Sequence, residues 1–349
     1  MDSLYINNRY IRHNVTKDMG GEDLVRIDEL KQDNIQKLRE CFYNGQIWTK
    51  NELSKQTHLS LAATTNMLQY LLKHNEIQYV GEACSTGGRK SKQYVLNQDF
   101  YHIAIMNIKH LYEGDKIFFQ RVDMMHHVLE QEEFNKQDIT VHDVLGCLDL
   151  MIKKDHLITL VVMSIPGICE SGKIEVCDCQ YLENKDLGSL IEENYHIDHV
   201  IENDVNTASI ALSCLYPCYE HMALIYQPKV EYVGCGLIIH HQLYNGFSHF
   251  AGELRYLPFY THQQQDQMLK ENPLLLLKNQ ILTLCCVMNP QMIGVCSDVI
   301  DHIDQHLFDD MIVDHHRPMI IEIKDLDHYI HQGLFHIAMN TLKKKGREK

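Results

Sequence analysis

The 349-residue chain is predicted to be an α/β protein in which a winged helix-turn-helix precedes a larger, two-lobed α/β body. Two capped helical segments followed by a basic Gly-Gly hairpin predict the first part. Strand-like and helix-like segments alternate along the rest, which is typical of layered α/β domains. Paired strands at 101–122 and 221–240 open two similar halves, so we expect a duplicated fold with a cleft between its lobes. The predicted domains are an arm (1–30), for which a short helix at 22–30 is the alternative, the winged module (31–98) and the body (99–349).

The winged module is predicted from its helix caps and from its two-faced second helix. A first helix is expected at 33–43, with apolar residues on one face. Thr49 can cap a helix that starts at Lys50, and Ser60 can cap the next one. That next helix has an inner face spaced for burial, made of Thr64, Met67, Leu68, Leu71 and Leu72. Its outer face carries short hydrogen-bonding side chains suited to base edges in the major groove, namely Ser60, Thr65, Asn66 and Gln69.

The hairpin that follows is predicted to form the wing. Residues 77–80 and 93–96 alternate like strands on either side of the segment Ser85-Thr-Gly-Gly-Arg-Lys-Ser-Lys92. Three basic residues of this wing, Arg89, Lys90 and Lys92, are expected to meet phosphate or a narrow minor groove. Helix pairs and charged loops are also common in proteins that bind no nucleic acid. A small helical packing module with a charged loop therefore remains the alternative.

The charge is unevenly distributed along the chain. Residues 31–100 carry nine Lys or Arg and six Asp or Glu, whereas the whole chain has 32 basic and 47 acidic residues and a net charge of −15. A weakly basic module on an acidic body limits non-specific affinity for DNA. We therefore expect the chain to bind double-stranded DNA as a homodimer, or as a dimer of dimers, because two half-sites then add their contacts.

Neither the apolar runs nor the cysteines of the sequence indicate an exported protein. No apolar run reaches 18 residues and the first residues lack a signal pattern, so a cytoplasmic protein without membrane contact is expected. The twelve cysteines are then expected to be reduced, and most of them lie in apolar runs. The pairs Cys177/Cys179 and Cys214/Cys218 each offer two metal ligands. Because neither has a matching second pair nearby, no metal site is predicted, and a structural zinc site is the alternative.

The body divides into strands and helices by its hydrophobic pattern. Strands are predicted where apolar residues run together or alternate, at 101–108, 116–122, 156–165, 199–201, 221–226, 232–240 and 292–296. Helices are predicted where apolar residues recur at helical spacing, at 141–153, 186–195, 206–214, 273–288 and 333–342. The hairpin-like pairs argue against a purely parallel sheet.

Several short motifs of the body occur in a characteristic order. They are Pro166-Gly167, Glu202-Asn-Asp-Val-Asn206, Gly234-Cys-Gly236, Leu243-Tyr-Asn-Gly246, Ala251-Gly-Glu253 and Met288-Asn-Pro290. Together they resemble the ROK family of repressors, open reading frames and sugar kinases. The wing segment Gly87-Gly-Arg-Lys90 resembles the wing of the family's repressor branch. The resemblance covers residues 80–349 and implies an actin/hexokinase-like pair of lobes.

The resemblance also implies a sugar site. In such kinases the Asp of the Glu-Asn-Asp motif is the general base toward a sugar hydroxyl, and the neighbouring Asn and the Glu of Ala-Gly-Glu bind other hydroxyls. The matching residues here are Asn203, Asp204 and Glu253. A ring of hydroxyls needs such carboxylates and amides aimed at it. The alternative for Asp204 is that it only caps the helix that follows.

The chain departs from the family's kinases where phosphate is handled. The Asp-x-Gly-x-Thr loop is replaced by the segment 105–111, and the second glycine loop by the segment 230–234, in which Glu231 adds negative charge. Phosphoryl transfer depends on positioning and charge neutralisation, so both losses predict loss of catalysis. The family's zinc ligands are missing too: Arg255 and Tyr256 stand where Gly-His follows Ala-Gly-Glu, and the Cys-rich segment downstream is absent.

These observations predict a DNA-binding transcriptional regulator of the ROK repressor type, with a sugar or sugar phosphate as effector. No catalytic residue, cofactor or enzyme activity is expected. Two alternatives remain. One is an active sugar kinase with an appended module, and the other is a ligand-free body that serves only for dimerisation.

Overall fold

The computed structural model describes residues 21–83, 90–229, 232–309 and 311–348. The first twenty residues of the predicted arm, the wing residues Gly87, Gly88 and Arg89, and the loop residues Val230 and Glu231 lie outside these ranges. Every helix within them is too short or too polar to cross a membrane.

The N-terminal module is a three-helix unit with a small sheet. Its elements are α1 (Gly21–Phe42), β1 (Trp48–Thr49), α2 (Lys50–Thr57), α3 (Leu61–Lys73), β2 (Ile77–Glu82) and β3 (Lys92–Leu96), with sheet order β1-β3-β2. This arrangement is compatible with the predicted winged helix-turn-helix, whose wing tip lies outside the described residues. The first helix extends the predicted 33–43 segment back to Gly21, so part of the predicted arm is helical.

The first lobe of the body is built on a mixed five-stranded sheet of order β10-β7-β4-β5-β6. Its elements are β4 (His102–Leu111), β5 (Gly114–Val122), β6 (Val128–Lys136), α4 (Val141–Lys154), β7 (Ile158–Ile165), β8 (Gly167–Glu170), β9 (Lys173–Cys177), α5 (Leu187–Tyr195) and β10 (Asp198–Asn203). Strands β10, β7 and β4 are parallel, whereas β4, β5 and β6 form an antiparallel meander. The hairpin prediction is therefore confirmed.

The second lobe repeats this plan with sheet order β13-β12-β11-β14-β15. Its elements are α6 (Asp204–Leu215), β11 (Met222–Gln227), β12 (Gly234–Ile239), β13 (Gln242–Leu243), α7 (His262–Glu271), α8 (Pro273–Val287), β14 (Met292–Ser297), β15 (Met319–Glu322) and α9 (Leu326–Glu348). Strands β11, β14 and β15 are parallel, and β11 pairs with β12 in antiparallel register.

Helices α6 and α9 lie together at the centre of the molecule. A Cβ built on Gly333 would stand 2.0 Å from the carbonyl oxygen of Thr207, so the two helices touch through backbone at this point. One hydrophobic cluster runs from the module, through Leu38 and Leu71, into these helices at Leu212 and Leu334. The module and the body thus share a continuous core. Separate clusters bury the outer faces of the two sheets.

Candidate functional site

The two predicted caps hold the helix-turn-helix together. The Thr49 side chain accepts a hydrogen bond from the backbone of Glu52, whose carboxylate accepts one from the Thr49 N–H at 2.7 Å. The Ser60 hydroxyl accepts one from the Ala63 N–H at 3.2 Å. Each cap satisfies amide donors that a helix start would otherwise leave free. Both predicted helix starts are therefore confirmed.

An ion pair fixes α1 against the turn that follows α3. The Arg39 guanidinium donates from Nε to one oxygen of Glu76 at 2.5 Å and from Nη2 to the other at 2.8 Å. Both side chains are largely buried. A two-point contact of this kind sets orientation as well as distance. It keeps α3 in a fixed pose relative to the rest of the module.

The four predicted contact residues on the outer face of α3 differ in exposure and in hydrogen bonding. Asn66 and Gln69 are exposed, and their side chains form no hydrogen bond with another described residue. Ser60 is exposed but engaged as the cap, while the Thr65 hydroxyl donates to the Leu61 carbonyl oxygen at 2.6 Å. Two amide side chains are thus free for recognition, and two hydroxyls already serve the helix itself.

The wing presents basic groups beside Tyr79, an exposed aromatic residue of β2. Lys90 lies 3.9 Å from the Glu82 carboxylate, an exposed pair that holds it only weakly. The Lys92 ammonium lies 5.7 Å from the centroid of the Tyr79 ring, which is itself half exposed. Both lysines remain accessible to a polyanion. The predicted contact Arg89 lies outside the described residues.

The kinase-like cleft is built where β10 passes into α6. Asn203, and not Asp204, caps this helix, because its Oδ1 accepts the Asn206 N–H at 2.9 Å. Its amide nitrogen donates to the Gly167 carbonyl oxygen at 3.1 Å. Asp204 accepts only the N–H of Val205, at 2.8 Å. The capping alternative for Asp204 is therefore wrong, and the amide of Asn203 is committed to the fold.

Two carboxyl groups of this cleft have raised pKa values. Burial, reinforced by the charge of Asp178, raises the pKa of Asp204 to about 7. Burial also raises the pKa of Glu202, against hydrogen bonds from Asn206 and from the Asn203 backbone. Carboxyl groups shifted in this way are characteristic of ligand and catalytic sites, although buried structural groups shift too. The cleft therefore offers poorly hydrated oxygens to a polar ligand.

Glu253 lies on the loop that follows β13. Gly252 has a φ of +94°, and a Cβ there would stand 2.0 Å from the Cys235 carbonyl oxygen, so this loop packs directly on β12. Burial raises the pKa of Glu253, partly offset by the nearby charge of Arg255. His249 of the same loop lies near enough to Glu202 to favour its charged form. The loop thus brings His249 towards Glu202, while Glu253 lies near Cys235 of β12.

In the segment that replaces the first phosphate loop, two side chains are bonded to helix α9. Lys109 of β4 forms an ion pair with Asp327, in the first turn of α9. The Asn107 amide donates to the other Asp327 oxygen at 3.2 Å and accepts from the Ser164 hydroxyl at 2.9 Å. A glycine loop cradles phosphate with free backbone N–H groups. Here the side chains of β4 are anchored to α9 instead.

The segment that replaces the family's zinc ligands is ordered by other contacts. The Arg255 guanidinium lies 3.1 Å from the centroid of the Tyr232 ring, and the Gln265 amide donates to the Arg255 carbonyl oxygen at 2.6 Å. The cation–π contact joins the loop to the segment before β12, and the hydrogen bond joins it to α7. The region is therefore held without the missing ligands.

Sequence reasoning missed several of the cleft's charged residues. Glu202 stood in the quoted motif but was not selected, and its contact with His249 joins positions 47 residues apart. Asp178 and Lys109 act on Asp204 from distant segments. Lys109 could have been found, because it stands inside the segment recognised as departing from the family.

Comparison with known proteins places these features in a family. Residues 113–265 match the sequence model described as the ROK family. Two curated relatives are named xylose repressor: one from Bacillus spizizenii, 25% identical over 229 residues, and one from Staphylococcus xylosus, 26% identical over 227 residues. These matches cover 63% and 62% of this chain, and 58% of each relative's length.

Solved structures show the same fold at low identity. A ROK family transcriptional regulator, described as a homologue of the Escherichia coli MLC protein, covers 92% of this chain and all of its own, with a TM-score of 0.64 at 15% identity. A ROK hexokinase from Thermus thermophilus covers 69% of this chain and 99% of its own, with a TM-score of 0.54 at 11% identity. Residues 113–265 are therefore similar to a ROK family domain, as the motifs predicted, and the body has a hexokinase-like fold.

Proposed function

We propose that the chain is a transcriptional repressor that binds double-stranded DNA and whose body senses a sugar or sugar phosphate without phosphorylating it. One observation carries the proposal. A winged module shares its core with a kinase-like body in which Lys109, paired with Asp327, fills the segment where phosphate would be cradled. The relatives named xylose repressor support it.

The DNA contact is assigned to the outer face of α3 and to the wing. Asn66 and Gln69 reach base edges in the major groove, where an amide can bond adenine at two points. Ser60 and Thr65 flank them, and Arg89, Lys90 and Lys92 meet phosphates or the minor groove. One such module neutralises few phosphates on an acidic chain, so a homodimer on paired half-sites supplies the affinity.

The effector site is assigned to the cleft. Asp204, Glu253 and Glu202 supply oxygens for hydroxyl groups, while Asn203 holds the start of α6. A pentose such as xylose fits the names of the relatives and offers a ring of donors to these carboxyl groups.

Helix α9 links the two sites mechanically. Its first turn carries Asp327, bonded to Lys109 and Asn107 of β4. Near its other end, the Gln36 amide of α1 donates to the Lys343 carbonyl oxygen at 2.9 Å. A ligand that binds one cleft geometry more tightly shifts the population toward it. Movement of α9 then changes the spacing of the two recognition helices in the dimer.

The DNA assignment is tested by fluorescence anisotropy of the full chain with a pool of labelled genomic fragments. Wild type should bind a subset of the fragments when each is titrated separately, and this binding should weaken steeply with salt. The Asn66→Ala/Lys90→Ala double variant should lose this binding, whereas Lys37→Ala, an exposed lysine of α1, should keep it. Equal binding by the double variant and by the control would refute this binding mode.

A sugar kinase is the second candidate, because the pKa of Asp204, raised to about 7, suits a general base at neutral pH. A coupled ADP-release assay with hexoses, pentoses and acylated hexosamines separates the two. No turnover is expected, since neither phosphate loop is of the kinase type. Turnover that disappears in Asp204→Asn would establish the kinase instead.

The ligand assignment is tested by thermal unfolding in the presence of the same sugars. A ligand at 100 times its Kd adds about 2.7 kcal/mol to the free energy of unfolding, a readily measured shift. Asp204→Asn should lose that shift. A wild type that responds to none of the sugars or sugar phosphates would instead support the dimerisation scaffold.

A further inference from the structure

Four chemically reactive side chains meet in the first lobe, outside the cleft. His110 at the end of β4 and Asp115 at the start of β5 face Cys179, which precedes a short 3-10 helix (Gln180–Leu182). The imidazole, carboxylate and thiol atoms of these three residues lie within 4.8 Å of one another. Cys177, at the end of β9, lies two residues from Cys179 and close enough to influence its thiol.

Two hairpins bring the four residues together. His110 and Asp115 are directly paired across the β4–β5 hairpin. Cys177 is paired with Gly167 across the β8–β9 hairpin, and the Asp178 N–H donates to the Pro166 carbonyl oxygen at 2.9 Å. The turn that carries both thiols is thus anchored by backbone. The site is built on strand ends and not on free loops, which favours fixed geometry.

We propose that His110, Asp115, Cys177 and Cys179 bind a single zinc ion. One imidazole nitrogen, one carboxylate oxygen and two thiolate sulfurs form a four-ligand set that zinc accepts in tetrahedral sites. This set is separate from the residues that replace the family's zinc ligands, which are held by Arg255 and Tyr232.

The burial of the four proposed ligands suits a structural zinc ion that solvent can reach from one side. Cys179 is fully buried, and Asp115 and Cys177 are nearly so, whereas the His110 side chain is 30% exposed. The second Asp115 oxygen accepts the Ile139 N–H at 2.8 Å, which orients the carboxylate as outer partners orient metal ligands. His110 lies on the solvent side, where an ion can enter.

Zinc binding changes the protonation and the net charge of this site. Zinc takes the place of the proton between His110 Nδ1 and the Asp115 oxygen, which are 2.6 Å apart; this proton moves to Nε2 of the imidazole, and the two thiol protons pass to solvent. The divalent charge then offsets the two thiolates, and the carboxylate leaves the site with one net negative charge.

The site lies directly behind the cleft. Asp178, between the two cysteines, contributes its charge to the raised pKa of Asp204. Lys109, which precedes His110, pairs with Asp327 of α9. The same two turns therefore carry the zinc ligands and two charges of the cleft. Zinc binding is expected to fix these charges in place and to raise the thermal midpoint of the chain.

The test uses the full chain, reduced and stripped of metal, titrated with zinc in competition with a chromophoric chelator. One ion per chain is expected. Cobalt, used as a probe for zinc, should give thiolate-to-cobalt charge-transfer absorption and the visible bands of a tetrahedral ion. Cobalt bound without the charge-transfer absorption, or no ion retained against the chelator, would overturn the proposal.

Variants locate the ion. Cys179→Ser and His110→Gln should each weaken zinc binding by at least about 100-fold, since loss of even an outer partner costs 10- to 100-fold. Cys147→Ser, at a buried cysteine of α4, is the matched control and should bind as wild type does. Glu220, His221 and His240 form a second, more exposed cluster, which His240→Gln tests.

Zinc binding lost in His240→Gln and kept in His110→Gln would contradict the proposal. Should Cys179→Ser fail to fold, as judged by circular dichroism, the wild-type cobalt spectrum and the more exposed His110→Gln variant decide between the outcomes.

Discussion

The carboxyl group of Asp204 is predicted to make stability depend on pH. Burial, reinforced by the charge of Asp178, raises its pKa from 3.8 to about 7, against the opposing charge of Lys109 and the Val205 N–H. Between these pH values the folded chain holds a proton that the unfolded chain has lost. The wild-type free energy of unfolding therefore loses a contribution as pH rises through this window. Asp204→Asn, which has no proton to lose, lacks this dependence.

The size of the effect follows from the shift. A difference of about three pKa units corresponds to about 4 kcal/mol between the two protonation states. The Asp204 side chain keeps partial access to solvent, which screens its charge, so we expect roughly half of that value. Relative to wild type, Asp204→Asn should gain about 2 kcal/mol of stability as pH rises from about 4 to 7.

Urea unfolding followed by circular dichroism at several pH values across this window measures the effect. The control is Asp301→Asn, at an exposed position of the second lobe, whose curve should run parallel to that of wild type. Parallel curves for wild type and Asp204→Asn would mean that the carboxyl group is well hydrated in the folded chain. The reasoning about a poorly hydrated cleft would then be wrong.

Four further predictions concern the module and the central helices of the body. Arg39→Ala leaves the buried Glu76 carboxylate unpaired and should lower the free energy of unfolding by about 3 kcal/mol in urea, with partial recovery when Glu76→Gln is added. Gly333→Ala places a Cβ 2.0 Å from a backbone oxygen of α6 and should cost about 2 kcal/mol, seen as a lower thermal midpoint. In anisotropy titrations, Asn66→Ala should weaken binding to preferred DNA fragments by about tenfold or more. Lys90→Ala should weaken binding to all fragments and reduce the salt slope by about 1.

The predictions for Arg39→Ala, Gly333→Ala and Asn66→Ala each have a result that would contradict them. An Arg39→Ala chain as stable as wild type would mean that the ion pair does not hold α1. An unchanged midpoint in Gly333→Ala would contradict the backbone contact between α6 and α9. An Asn66→Ala chain that lost affinity equally for all fragments would assign this residue to phosphates and not to base edges.

The local signals of the sequence predicted the module well because they are short-range. The caps at Thr49 and Ser60 and the buried positions Met67, Leu68 and Leu71 depend on neighbours within one or two helical turns. The same holds for the strand pairs that open both halves of the body. The resemblance then supplied the lobed fold, which no local pattern could have done.

The errors in the elements have physical causes. Strand β6 was missed because it is a sheet edge whose charged, mostly exposed side chains lack an apolar pattern. The last helix begins at Leu326, seven residues before the predicted start at Gly333, because this glycine is a contact point inside the helix and not its boundary. Tertiary packing decided both cases.

The sites required three-dimensional information. Asn203, and not Asp204, caps α6, and the sequence could not tell them apart because neighbouring residues at a helix start differ only in where the backbone turns. The cluster of His110 and Asp115 with Cys179 joins segments more than 60 residues apart. Spacing along the chain therefore gave the two cysteines no visible partners, although two hairpins bring the partners to them.

The most direct test of the central claim combines both sites in one titration. The full chain is bound to the labelled DNA fragments that it retains, and pentoses, hexoses and their phosphates are added while anisotropy is followed. One of these sugars should weaken DNA binding at least about fivefold, the lower end of ordinary allosteric coupling, and the response should vanish in Asp204→Asn while DNA binding remains. A chain that ignores DNA even at low salt, or that consumes ATP when the sugar is added, would contradict a sugar-sensing repressor.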